Sequence, residues 1–147
     1  MRIEFTVNGR PPKKHGEKSM WARNDEALFI FSLRKEAFKA RSRAGLDDCL
    51  RSLIALELTI FAPKPRVESI GDLDNFITGI CDGLQAADSK VLPFMHEIFL
   101  EPNSKEIDPK KPLLFENDAK IMSIIAKKVA LNQDQEIHYK VAIETIQ

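Results

Sequence analysis

The segment Ile54-Ala55-Leu56-Glu57-Leu58-Thr59-Ile60-Phe61 runs through Ala62-Pro63-Lys64-Pro65-Arg66 towards Gly71-Asp72-Leu73-Asp74-Asn75-Phe76. The hydrophobic period changes between its two ends. Over residues 52–61, Ile54, Leu56, Leu58 and Ile60 fall on one face of a strand. Leu53, Ala55 and Phe61 make the other face apolar as well, so the spacing predicts a central strand covered on both sides. The prolines end it. From about 73 to 86, Leu73, Phe76, Ile77, Ile80 and Leu84 recur at helical spacing, which predicts a helix.

The rest of that helix is polar. Asp74, Thr78 and Asp82 lie four residues apart and share a face with Asn75 beside them. Such a face can be a solvated side, and acidic residues at a helix start also complement its dipole. The close pair Asp72 and Asp74 carries more information, because two carboxylates one residue apart repel unless a cation or protons compensate. Their hard oxygen donors suit Mg²⁺ or Mn²⁺.

Upstream, Arg2 to Val7 alternates as a half-buried strand and Asn8-Gly9 ends it. A loop that Pro11-Pro12 holds extended follows, carrying Arg10, Lys13, Lys14, His15, Lys18 and Arg23, with Trp21 among them and Glu17 opposing. A basic loop with an aromatic can track phosphates and stack on a base; equally, the tryptophan can anchor a solvated loop to the core. Asn24 or Asp25 can cap a helix to about Ala44, stopped by Gly45, with Ala27, Ile30, Leu33, Ala37 and Ala40 as its buried stripe. Arg34, Lys35, Lys39, Arg41 and Arg43 crowd its second half, which suits the C-terminal dipole and would also suit a nucleic acid.

Downstream, Pro93, Pro102, Pro109 and Pro112 break the pattern, so residues 92–114 read as a loop insertion, with His96 and Glu97 a weak metal signal. Ile121 to Val129 reads as a strand, and Ile137, Tyr139, Val141 and Ile143 alternate as its hairpin partner. The order strand-helix-strand-helix-strand-strand predicts a single α+β (α/β) domain over 1–147, a mixed sheet with helices packed on it.

The 147 residues balance 22 Lys/Arg against 22 Asp/Glu, but unevenly: residues 1–66 hold 14 basic against 8 acidic, and the remainder is the reverse. A basic front and an acidic rear suit a protein that grips a polyanion with one part and a metal with the other. Cys49 and Cys81 are too few for a disulfide framework and read as small core residues in a reducing compartment. With no signal-peptide pattern and no apolar run long enough for a bilayer, the expectation is a soluble, cytoplasmic protein that makes no membrane contact.

Asp72-Leu73-Asp74-Asn75, Asp82-Gly83-Leu84, Asn117-Asp118-Ala119-Lys120-Ile121, the Lys127-Lys128 pair and the early Gly9-Arg10-Pro11-Pro12 together resemble the RusA-type Holliday-junction resolvases. The resemblance covers most of the chain apart from 92–114. It implies a Mg²⁺-dependent endonuclease, with Mn²⁺ a possible substitute, working as a homodimer in DNA recombination and repair. Its substrate would be the four-way DNA junction, opened by paired symmetric nicks. The family's acidic triad maps onto Asp72, Asp74 and Asp118 as catalytic metal ligands, with Asp88 a rival for the third place. Asn75 and Asp82 would orient the site from behind. Arg10, Lys13, Lys14, Lys18, Arg23 and Lys120 would meet the DNA. The family carries a lysine where this chain has Thr78, leaving Lys13, Lys14, Lys90 and Lys120 as replacements. Two other readings stand beside this one: a junction-binding relative whose cutting is weakened, and a metal-dependent nucleotide phosphohydrolase.

Overall fold

The computed structural model describes residues 1–14, 16, 19–22, 24–100 and 107–146. His15, Glu17, Lys18 and Arg23 lie outside these, so the expectations placed on them find no structural counterpart. The described chain forms β1 (Arg2–Asn8), α1 (Asn24–Arg43), β2 (Ile54–Pro63), α2 (Leu73–Leu84), β3 (Ile121–Leu131) and β4 (His138–Thr145). The strands make one mixed sheet in the order β1-β4-β2-β3, with β2 and β3 parallel and the other neighbours antiparallel. A four-stranded mixed sheet with two helices packed on it is the α+β class that the alternating periods predict.

One face of the sheet is built from the inward residues of three strands. Ile3, Phe5 and Val7 of β1, Ile54, Leu56, Leu58 and Ile60 of β2, and Tyr139, Val141 and Ile143 of β4 are all buried. Leu33, Ala37 and Ala40 of α1 and Phe76, Ile80 and Leu84 of α2 close over them in the same core. Burying a Leu, Ile or Phe contributes roughly 1.5–3 kcal/mol each, which makes this layer the main source of stability. The opposite face is not covered by helices, contrary to the two-sided burial expected of β2. There Arg2 bonds Glu4, Glu57 and Glu144 at 3.2–3.3 Å across three strands. These side chains are about half exposed, so each pair contributes little.

The expected hairpin between the last two strands does not form. β4 lies between β1 and β2, with Phe5 and Leu58 both opposite Val141, and β3 occupies the outer side of β2. The burial of the two strands gives the reason. Tyr139, Val141, Ala142 and Ile143 are at most 2% exposed and need neighbours on both sides, whereas β3 is mostly exposed along its length.

The 92–114 region is more than a loop. Short 3-10 turns at Leu92–Phe94 and Glu97–Leu100 carry Phe99 into a second, smaller apolar cluster with Met20, Trp21, Ala27, Ile30 and Val91. Trp21 and Phe99 stack obliquely at 5.0 Å, and the His96 amide donates to the Trp21 carbonyl at 3.0 Å. Trp21, 5% exposed, is therefore the loop's anchor to the core. Arg34, expected on a basic outer face, is instead 1% exposed. Its guanidinium donates to the carbonyls of Gly83, Gln85, Ile107, Asp108 and Lys111 at 2.8–3.2 Å. It clips the end of the inserted segment to the end of α2. Burial pushes its pKa down to about 10, so it remains charged at neutral pH.

Candidate functional site

Two of the charged stretches that the sequence singles out, the carboxylate turn and the basic loop after β1, meet at α2. After Pro63 the chain turns, and Gly71 adopts φ +142°, a conformation side chains rarely take. A Cβ there would also approach the Phe76 ring to 2.8 Å. Asp72 follows in extended conformation as N-cap of α2, with its side chain making no cap hydrogen bond. Asp72 and Asp74 are both exposed, so two free carboxylates flank the helix start. Asn75 is half-buried, and the Thr78 hydroxyl donates back to the Asp74 carbonyl at 3.1 Å.

The basic loop crosses directly over this helix. Gly79 sits under the Pro12 carbonyl so closely that a Cβ would collide with it. One turn away, the Lys14 amide donates to the Asn75 carbonyl at 3.2 Å, and Lys13 Nζ reaches the Ile70 carbonyl at 3.4 Å. The crossing is held from the other side by Glu26, which is fully buried. Its carboxylate accepts two hydrogen bonds from Arg10, at 2.6 and 2.9 Å, and one from the Lys13 amide at 2.9 Å. Arg10 also lies 4.1 Å from the Phe29 ring centre, so it is fixed in an internal ion pair at the place where DNA contact was expected. Glu26 has no sequence signal beyond its position at the start of α1. Gly79 does have one, because glycine inside a helix is costly unless another backbone needs the space.

The third carboxylate is elsewhere. Asp118 opens a 3-10 turn, Asp118–Lys120, whose cap is Asn117 accepting from the Ala119 amide at 3.0 Å. This turn precedes β3. Since β3 is parallel to β2 and α2 returns between them, the turn lies by the last residues of α2 rather than the first. The electrostatic neighbours agree: Asp118 acts on Cys81 and Asp82, both in the final turns. The 12 residues of α2 put about 18 Å between its ends. Among the described residues no three of His, Cys, Asp and Glu gather to hold a metal. Asp72, Asp74 and Asp118 are thus not brought together within one chain, and Asp118 is not beside the start of α2 as expected. The rival Asp88 is also past the C-terminal end of α2, where it accepts from the Lys90 amide at 2.9 Å.

At that second end an open cavity of about 1100 Å³ is lined by Lys14, Trp21, Asp82, Asp88, Lys90 and Phe94, among others. Of the lysines that sequence could not rank, Lys14 and Lys90 both face it, and Lys14 is close enough to act on Asp82. Burial raises the Asp82 pKa above its ordinary value, Lys14 opposes the shift and Asp118 adds to it. A carboxyl raised in the folded state binds its proton more tightly there than when unfolded. Its contribution to stability therefore grows as pH falls through the raised value. A carboxyl-detected NMR titration is expected to place Asp82 above ordinary aspartates, higher still in Lys14→Met and lower in Asp118→Asn. Burial also pushes the Cys81 thiol up to about 12, which makes it inert.

A scan of known protein families finds none that matches this chain, and no curated protein matches it. No helix among the described residues is long and apolar enough to cross a membrane.

Proposed function

We propose that this chain is a metal-dependent endodeoxyribonuclease that binds branched DNA, four-way junctions above all, and opens it by paired nicks. The observation that carries this reading is the crossing of the basic loop over the acidic helix, with Pro12 on Gly79 and Lys14 on Asn75. Cleaving a phosphodiester requires cations that meet the phosphate and carboxylates that meet a metal or water, both on one surface. Lys13 and Lys14 reach that surface through backbone bonds that fix their position, and Lys90 lines the adjoining cavity from the turn after α2. Charge concentrated there makes phosphate binding compatible with a chain of zero net charge.

Mg²⁺ or Mn²⁺ is the ion this reading requires, and Asp72 and Asp74 offer it hard, uncommitted oxygens. With Asp118 at the other end of α2, a single chain falls short of the full triad. Thr78 supports a second reading, a junction-binding relative that does not cut. Its hydroxyl is turned into the helix and supplies no charge to a phosphate. Incubating a synthetic four-way junction with wild type and Asp74→Asn in Mg²⁺ separates the two. Paired nicks from the wild type, lost at least a hundredfold in the variant while junction binding persists, are the expected result. Tight binding without cutting by either protein would favour the second reading.

A further inference from the structure

We infer that the face of the sheet turned away from the helices binds single-stranded nucleic acid, with a base stacked on the Phe61–His138 ring pair and the adjoining phosphates held by Lys127 and Lys140. Such a surface is separate from the one at α2 and does not depend on the nuclease reading. A sheet face that meets only water is polar at each outward position. Near the end of β2 this face is not. Phe61 and His138, opposite each other on β2 and β4, are both half-buried. Their rings stack with centres 4.8 Å apart and planes within 10° of parallel.

Strand register sorts the face into rows. The row that holds the rings reads Asn8, His138, Phe61 and Val129 from β1 to β3. The next reads Thr6, Lys140, Thr59 and Lys127, which sets one lysine on each side of Thr59. Farther along lie Glu4, Glu57 and Glu144, held by Arg2. Aromatic and basic groups thus gather at one end of the face and carboxylates at the other. Lys64 and Arg66, both exposed, follow β2 at the aromatic end, with Asp134 and Glu136 ahead of β4 as the opposing charges. Lys140 does reach Glu4 at 3.4 Å, but the two side chains are 43% and 42% exposed. An ion pair that open contributes little, and a phosphate can take the carboxylate's place.

This combination selects the occupant. An aromatic surface accepts the flat side of any base, and cations beside it neutralise the phosphates to which the base is joined. A duplex keeps those flat sides within its own stack, so an unpaired strand is what the rings can receive. The carboxylate rows repel a polyanion and confine it to the rows of Phe61 and Thr59. A second copy of the chain gains little here, because Arg2 already pairs with Glu4, Glu57 and Glu144, whereas the centre of a stable interface is apolar and poor in charge.

Fluorescence anisotropy of a labelled oligodeoxythymidylate of about twelve nucleotides, titrated in EDTA at low salt, tests this. The wild type is expected to bind it, less tightly as salt rises, and to prefer it to a duplex of equal length. Phe61→Ala, and separately Lys127→Glu with Lys140→Glu, should each weaken binding at least about tenfold while dichroism shows the fold retained. Phe61→Tyr keeps the ring and should keep the binding. The His138 ring protons should move upfield as the oligonucleotide is added, which attraction between charges alone does not produce. An oligouridylate run in parallel tells whether DNA or RNA is the tighter ligand. No binding, or binding indifferent to these changes, overturns the inference. So does a change in sedimenting mass without a change in binding, which would give the face to a second copy. With the metal chelated, these results stand apart from the nicking assay.

Discussion

Arg34→Met is expected to lower the unfolding free energy by about 3–5 kcal/mol, the largest loss from any single side chain here. Methionine fills much of the same volume, so the loss is not mainly a cavity. It comes from the carbonyls of Gly83, Gln85, Ile107, Asp108 and Lys111, which lose their donor together. An unsatisfied buried polar group costs about 1–3 kcal/mol, and water can reach some of these five, which keeps the total below their sum. Urea melts followed by far-ultraviolet dichroism measure the loss. Trypsin should also cut sooner after Lys110, because its segment is no longer clipped to α2 (the bond after Lys111 is protected by Pro112). An unchanged midpoint would mean that the carbonyls are adequately served by water.

Gly79→Ala is the second large effect, and its sign is the informative part. In an exposed helix the change stabilises by about 1 kcal/mol, since alanine is the better helix former. Here the new methyl would collide with the Pro12 carbonyl, which is backbone and belongs to a loop pinned by Glu26. Overpacking of this kind costs about 1–3 kcal/mol and sometimes more. The net expectation is a loss of about 2 kcal/mol, with the Lys14–Asn75 bond broken as the loop lifts. Thermal melts give the first quantity, and exchange of the Lys14 amide gives the second. Stabilisation by the alanine would mean that the loop does not rest on α2 in solution.

Most of the architecture was legible in the periods of the sequence. The stripe Ala27, Ile30, Leu33, Ala37, Ala40 is buried as spaced, and the alternation of Ile54 to Ile60 faces the core. The order of strands was not legible, because alternation along β4 says which face is buried but not which neighbours it has. Arg34 reads in sequence only as one of a basic run that suits the helix dipole or a nucleic acid, and Glu26 draws no reading at all; only folding reveals partners that lie up to 77 residues away. For the candidate site, sequence spacing identified the carboxylates and the basic loop but carried no information on distance. Asp118 resembles the third member of a triad by motif, while the parallel pairing of β2 and β3 places it at the far end of α2.

The cluster of Trp21 against Phe99 has a practical consequence for spectroscopy. This chain contains a single tryptophan, and it lies outside the main core, wedged between α1 and the inserted segment. Its fluorescence is therefore a local gauge of whether the 91–99 segment is seated. A change in emission on adding DNA or denaturant would record that segment's detachment, while the fate of the sheet would have to be followed by another signal, such as the lone Tyr139 buried between β1 and β2.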